Sequence, residues 1–140
     1  MLIVLCGIAG SGKTTLSKQI ADRLNAKLYC YDDLSNCHNP VKYDAVHKQM
    51  YDAISDDLRN GYDVVCDDLH IEKFRRNDIL SAIDISCKKV IIVMKTPLEE
   101  CLRRNANRPQ KLPEIFIRHL HKKFQYPELD EGWDEIVEVN

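Results

Sequence analysis

Short apolar runs alternate along the chain with longer stretches in which apolar positions recur every three or four residues, the two periods of strand and helix. Residues 2–6 form the first run. In 13–24, Leu16, Ile20 and Leu24 repeat every four residues with Ala21 beside them, which predicts a helix with one buried stripe. Residues 27–31 predict a short second strand, closed by Asp32 and Asp33. Residues 34–40 predict a loop, with Ser35 and Asn36 as turn formers and Pro40 as an interruption. A long helix is expected over about 42–59, with Val46, Met50, Ile54 and Leu58 as its stripe and Asn60-Gly61 as its stop. A third strand over 62–67 ends in Asp67 and Asp68. A helix over about 72–83 is expected to turn Phe74, Ile79, Leu80 and Ile83 inward. Residues 89–94, KVIIVM, are continuously apolar after the lysine, as in a parallel sheet covered on both faces.

Thr96-Pro97-Leu98-Glu99 has the pattern of a capping box with proline at the first helical position. It predicts a helix to about 107, followed by a short basic loop over 108–111. A further helix over 113–124 would place Phe116, Leu120 and Phe124 on one face. Pro127 and Gly132 bracket a loop, and 134–139 alternate polar and apolar like an edge strand. Five strands alternating with helices predict an α/β fold: a five-stranded parallel sheet with right-handed crossovers and helices on both faces. No repeat or linker divides the chain, so 1–140 reads as a single domain with a small arginine-bearing helical lid over about 98–125. Ligands of such sheets bind outside the carboxyl ends of the strands. The segments leaving those ends are 7–14, Asp32-Asp33, Asp67-Asp68 and the residues after Met94.

The first of these segments is GIAGSGKT at 7–14. It fits G-x-x-x-x-G-K-[ST], and it lies between a predicted strand and a predicted helix, the context that gives the motif meaning. A triphosphate needs backbone N–H groups close to its oxygens. Gly7, Gly10 and Gly12 let the backbone approach, and the following helix start adds further donors. Ile8, Ala9, Ser11 and Thr15 complete the cradle. Lys13 is expected to reach the β- and γ-phosphates and Thr14 to ligate Mg²⁺.

Hydrophobic residues make up 44% of the chain and charged residues 30%, with a formal net charge of −2. That balance supports a real core and does not favour a broad polyanion-binding surface. Within 98–127, seven Lys or Arg face three Glu, whereas 128–140 hold six acids and no base. One basic region on a near-neutral protein suits a local phosphate site. The N-terminus lacks a basic n-region and a long apolar core, which argues against a signal peptide. No apolar run approaches the ~20 residues of a membrane span. The six cysteines lack C-x-x-C spacing, and a nucleotide domain belongs in the reducing cytoplasm, so they are expected to be mostly buried thiols. Cys37-His38 has no second pair at zinc spacing.

Phosphoryl transfer needs a metal, a base and positive charge at the moving group. Asp32 and Asp33 are candidates for the base. Asp67 and Asp68 occupy the position after a hydrophobic strand where an acid can hold a metal-bound water or contact the acceptor. Arg104 and Arg108 are four apart and would share one helical face, so two guanidiniums could converge on phosphate oxygens. The five histidines show no triad spacing. Trp133 is expected in the core or at its rim, and Tyr31 or Tyr43 could stack a base.

The phosphate loop, the Asp32-Asp33 pair and the run TPLEECLRRNANRPQKLP resemble the small P-loop kinases, most of all the kinase domain of phage-type polynucleotide 5′-hydroxyl kinases. The resemblance covers nearly the whole chain. It implies a P-loop kinase-like three-layer fold and ATP-dependent phosphotransfer to the 5′-hydroxyl of a DNA or RNA end, with ATP and Mg²⁺ bound. It implies Lys13, Asp32 (general base) and Arg108 (transition-state charge) as catalytic residues, Arg104 on the nucleotide, and Asp33 and Asp68 on the acceptor side. Two departures stand out. Asp68-Leu69-His70 replaces the usual Asp-Thr-Asn, and Ser35 replaces a basic residue that helps hold the acceptor's phosphate. A small-molecule kinase and a non-catalytic nucleotide-binding module are the alternative readings.

Overall fold

The computed structural model describes residues 1–34 and 40–140. Strands β1 (Leu2–Cys6), β2 (Lys27–Cys30), β3 (Val64–Asp67), β4 (Lys89–Met94) and β5 (Glu135–Val139) form one sheet in the order β2-β3-β1-β4-β5. Every neighbouring pair is parallel, with registers such as Ile3↔Val65 and Val4↔Ile91. This is the expected five-stranded parallel α/β fold. The strand runs are apolar throughout because both faces are covered. Leu2, Val4, Cys6, Val64, Cys66, Ile91 and Val93 point to one face, where they pack with Met50, Tyr51, Ile54 and Leu58 of α3 (Pro40–Arg59). Ile3, Leu5, Val65, Val90 and Ile92 point to the other, under α1 (Lys13–Leu24).

Several local expectations change. In α1 the buried positions are Lys13, Ser17 and Ala21, while Leu24 is exposed and Leu16 and Ile20 are half-buried. Lysine and serine sit inward because the helix starts at the phosphate loop and its sheet-facing side meets a carboxylate. The expected strand end at Tyr31-Asp32-Asp33 is a short helix, α2 (Tyr31–Leu34). Pro40 opens α3 instead of interrupting, a role its fixed φ suits. In α4 (Lys73–Ala82), Phe74 is exposed and lies against the Arg75 guanidinium, and the inward residues are Arg76 and Ile79. In α6 (Glu114–Lys122), Ile117 and Leu120 are buried and Phe116 is exposed. Thr96 makes no capping box for α5 (Leu98–Ala106); its hydroxyl is used elsewhere. Trp133 is buried, as are the thiols of Cys6, Cys30, Cys66 and Cys101. Cys37 and His38 lie outside the described residues. No helix among the described residues is long and apolar enough to cross a membrane.

One buried ion pair fixes the carboxyl edge of the sheet. The fully buried Arg76 donates from Nε and Nη2 to Glu131 at 2.7 and 3.1 Å, and from Nη1 to the His70 carbonyl at 2.9 Å. Burial pushes the Glu131 carboxyl up, but the Arg76 guanidinium and the Glu128 N–H hold it below its ordinary value. The His70 carbonyl also accepts from the Cys6 thiol, and Leu69 accepts from the Gly7 N–H at 2.9 Å. His70 has φ +48°, a left-handed conformation that costs a side-chain-bearing residue about 1–2 kcal/mol. The Arg76 brace holds the chain in that turn and so lays residues 68–71 across the end of β1. Removing one member of such a pair strands a buried charge. Arg76→Ala or Glu131→Gln should each cost about 3–5 kcal/mol in urea unfolding. The Arg76→Met/Glu131→Leu double variant should lose clearly less than the sum of the singles.

Candidate active site

The phosphate loop follows β1 directly. Gly10 has φ +82° and Gly12 φ +96°. A Cβ at Gly10 would stand 2.7 Å from the Cys101 carbonyl, and one at Gly7 would stand 2.9 Å from Met94 Cβ. Gly10 is therefore needed twice over, for its backbone conformation and for close packing on α5, whereas Gly7 is needed for packing on the end of β4 and Gly12 for its backbone conformation. Thr96 Oγ1 donates to the Ser11 carbonyl at 2.8 Å, and Arg104 Nη1 to the Gly10 carbonyl at 3.4 Å. The loop is thus docked on α5, the helix that carries Arg103 and Arg104. Ile8 packs its side chain into the core, so its share in the cradle is backbone only. Thr14 and Thr15 are exposed at the start of α1.

Lys13 is 8% exposed and donates from Nζ to the Ile8 carbonyl at 3.1 Å. Burial lowers its pKa, opposed by the charges of Asp67, Asp68 and Asp32. Asp32 is shifted the other way. Desolvation and the neighbouring Asp68 carboxylate raise its pKa, opposed by Lys13 and Arg108. Lys13 thus feels the charges of Asp67, Asp68 and Asp32, and Asp32 feels those of Asp68, Lys13, Asp67 and Arg108. The two acids closing β3 face opposite ways, as successive strand residues do. Asp67 lies on the α1 side, within 3.2 Å of Ser17 Oγ and 3.6 Å of Cys30 Sγ. Asp68 turns toward α3, where His47 Nε2 meets its Oδ2 at 2.7 Å and the Leu69 N–H meets its Oδ1 at 2.8 Å. Burial raises the Asp68 pKa, but these hydrogen bonds and the nearby imidazoles hold it below the usual carboxylate range.

Arg108 does not share a helical face with Arg104. The helix ends at Ala106, where the Asn107 N–H donates to the Arg104 carbonyl and the Arg108 N–H to the Asn105 carbonyl, each at 3.2 Å, and Arg108 lies on the turn beyond. The turn is held by Asn105, whose buried side-chain amide donates to the Leu112 carbonyl at 2.8 Å and accepts from the Leu112 N–H at 3.0 Å. Arg103 and Arg104 both pair with Glu100, and they pull its pKa down to about 2. The side chains of Asp33 and Tyr43, and all of Ser35, lie outside the described residues. Tyr31 stacks on His47 at 4.2 Å. Sequence reasoning did not single out Ser17, His47, Thr96 as a loop tether, or Asn105. Ser17 alone carried a signal, as the residue one helical turn beyond Lys13. Among the described residues no three His, Cys, Asp or Glu side chains gather as a metal cage. The donors near the loop are hard oxygens, Thr14 and Asp67, which suits Mg²⁺ arriving with phosphates and keeping several waters.

The chain is 30% identical over 143 residues to an L-seryl-tRNA(Sec) kinase of Methanococcus maripaludis, covering 96% of this chain and 56% of that protein. It spans about half the length of the curated relatives it matches. Kti12 of Chaetomium thermophilum, solved in complex with ADP-AlF3, superposes with a TM-score of 0.76 at 18% identity, over 99% of this chain and 88% of that one. A chain of the Pnkp1/Rnl/Hen1 RNA repair complex superposes with a TM-score of 0.79 at 20% identity, over 95% and 46%. The fold is P-loop kinase-like, as the sequence resemblance implies. A family model described as "Chromatin associated protein KTI12" matches residues 1–137, and the chain belongs to that KTI12 family rather than to the phage-type polynucleotide kinases that its motifs first suggest.

Proposed function

We propose that this chain binds ATP at the 7–14 loop and transfers its γ-phosphate to a hydroxyl carried on a nucleic acid. The observation that supports the reading is the electrostatic interaction of Asp32 with Asp68, Lys13 and Arg108, which come from separate segments of the chain. In this reading the acceptor oxygen attacks the γ-phosphorus and its proton passes to Asp32. The bond from the γ-phosphorus to the bridging oxygen breaks, and ADP leaves. Lys13 and the loop amides hold the β- and γ-phosphates, with Arg104 on the nucleotide. Arg108 neutralises charge on the moving phosphoryl from the turn fixed by Asn105. Asp68 and Asp33 orient the acceptor. Thr14 and Asp67 would hold Mg²⁺, which when bound offsets phosphate charge. A nucleic-acid-borne alcohol, whether a 5′-hydroxyl or a group esterified to RNA, is favoured by the relatives named for seryl-tRNA and RNA repair.

A second reading is a nucleotide-binding module without transfer. It is favoured by the family's description, which names no reaction. Incubation with γ-labelled ATP, 5′-hydroxyl oligonucleotides, unfractionated tRNA and a panel of small alcohols separates the two. Label transfer to RNA or DNA supports the first reading, and label in a small alcohol alone moves the acceptor to metabolites. ATP binding with no transfer and no ADP leaves the module.

If the enzyme reading holds, Asp32→Ala should lower turnover about 10²–10⁴-fold. Arg108→Ala should lower it about 10³-fold with the Kd for ATP little changed. The base must be ionised, and its pKa is raised. Turnover should therefore fall with decreasing pH on a limb lying above the ordinary carboxylate range. Asp68→Asn removes a negative neighbour and should move that limb to lower pH, which a pH–rate profile reads directly.

A further inference from the structure

His47 lies in the middle of α3, remote in sequence from every motif, yet it is 4% exposed and points its Nε2 at the carboxyl edge of the sheet. A carboxylate oxygen accepts, so across the 2.7 Å contact Nε2 is the donor and Asp68 Oδ2 the acceptor. The opposite oxygen is fixed by the Leu69 N–H. Asp68 therefore has little rotational freedom about its χ angles. The same imidazole has two aromatic neighbours. Tyr31 stacks on it, with ring centroids 4.2 Å apart and planes 19° from parallel, and Tyr51 meets it edge-on at 5.6 Å. Tyr31 immediately precedes Asp32 in α2. One buried ring thus contacts both segments that carry the acceptor-side carboxylates: Asp68 by a hydrogen bond, and Asp32 through the residue next to it. Those two carboxylates feel each other's charge, so their separation governs the field in which an attacking oxygen is oriented.

We propose that His47 is a positioning residue of the transfer site, setting the orientation of Asp68 and its spacing from Asp32. The inference rests on the kinase reading above. It concerns the acceptor side, where His47 meets Asp68. A solely structural histidine would affect folding and nucleotide binding together. A positioning one affects turnover while ATP binding stays intact.

The test is ADP formation from ATP and Mg²⁺, with the best acceptor found or with water, alongside the Kd for ATP by calorimetry. His47→Phe keeps a ring to stack on Tyr31 and deletes the donor. It should lower kcat about tenfold or more, with the Kd for ATP within about twofold. His47→Gln places an amide N–H near the Nε2 position and should recover most of the loss. His47→Phe added to Asp68→Asn should cost nothing beyond Asp68→Asn alone. Full turnover in His47→Phe, or losses that multiply independently, overturns the proposal. Should His47→Phe misfold, the His47 imidazole signals in ¹⁵N NMR decide instead. The Nε2 proton should be protected from exchange in the wild type and lose that protection in Asp68→Ala, which removes the acceptor, and an unchanged signal overturns the assignment. Wild-type protein that binds ATP and forms no ADP fails the kinase reading itself, and this inference with it. Wild-type turnover with an indifferent His47→Phe fails this inference alone.

Discussion

A buried ammonium facing three carboxylates is the constraint around which this domain is arranged. Lys13 has left water almost completely and donates a hydrogen bond to the Ile8 carbonyl of its own loop. Burial works against its charge, and Asp32, Asp67 and Asp68 work for it. At Asp32, an exposed residue, partial desolvation and the neighbouring Asp68 carboxylate raise the pKa, while Lys13 and Arg108 lower it. Segments far apart in sequence are thereby tied to one place, and they leave a concentration of charge at the end of a loop shaped to approach an anion.

The rest of the scaffold keeps those charges from relaxing toward one another. The parallel sheet supplies a rigid edge, and the order β2-β3-β1-β4-β5 puts β1 and its loop between β3, with its two acids, and β4, with the arginine-bearing helix beyond. Alternation along β3 sends Asp67 toward α1 and Asp68 toward α3, so two adjacent acids acquire different partners, Ser17 and His47. The Arg76–Glu131 pair fixes the left-handed turn at His70 that follows them. On the other flank, Thr96 and Arg104 tether the phosphate loop to α5, and Asn105 holds the turn bearing Arg108. The polar side chains buried here are accounted for by specific bonds, apart from Ser11 Oγ and His70 Nε2, which lack a partner among the described residues.

The elements most legible in the sequence were those whose pattern reflects a local rule. The run at 89–94 matches β4 to the residue because a strand buried on both faces must be apolar throughout. The α3 stripe of Met50, Ile54 and Leu58 is buried as its spacing requires. The misreadings share a cause. Thr96-Pro97-Leu98-Glu99 fits a helix cap, but the Thr96 hydroxyl goes to the Ser11 carbonyl, far away in sequence. Spacing alone puts Arg104 and Arg108 on one face, yet the helix stops before Arg108 is reached. Hydrophobicity alone turns Phe74 inward and puts Phe116 on the apolar face of its helix, whereas Arg76 and Ile117 are the buried residues.

By itself the sequence determined the strand–loop–helix unit at 7–14, the alternation that makes a parallel α/β sheet, and the short list of acids and arginines leaving its carboxyl edge. These follow from period, glycine placement and residue chemistry, all of which act over a few neighbouring residues. Only the tertiary structure decided which carboxylate faces which helix, that a histidine in the middle of α3 holds Asp68, and that a buried arginine holds the turn behind it. Such pairings depend on contacts between residues tens of positions apart, and a one-dimensional pattern carries no record of which distant side chain will satisfy a buried charge.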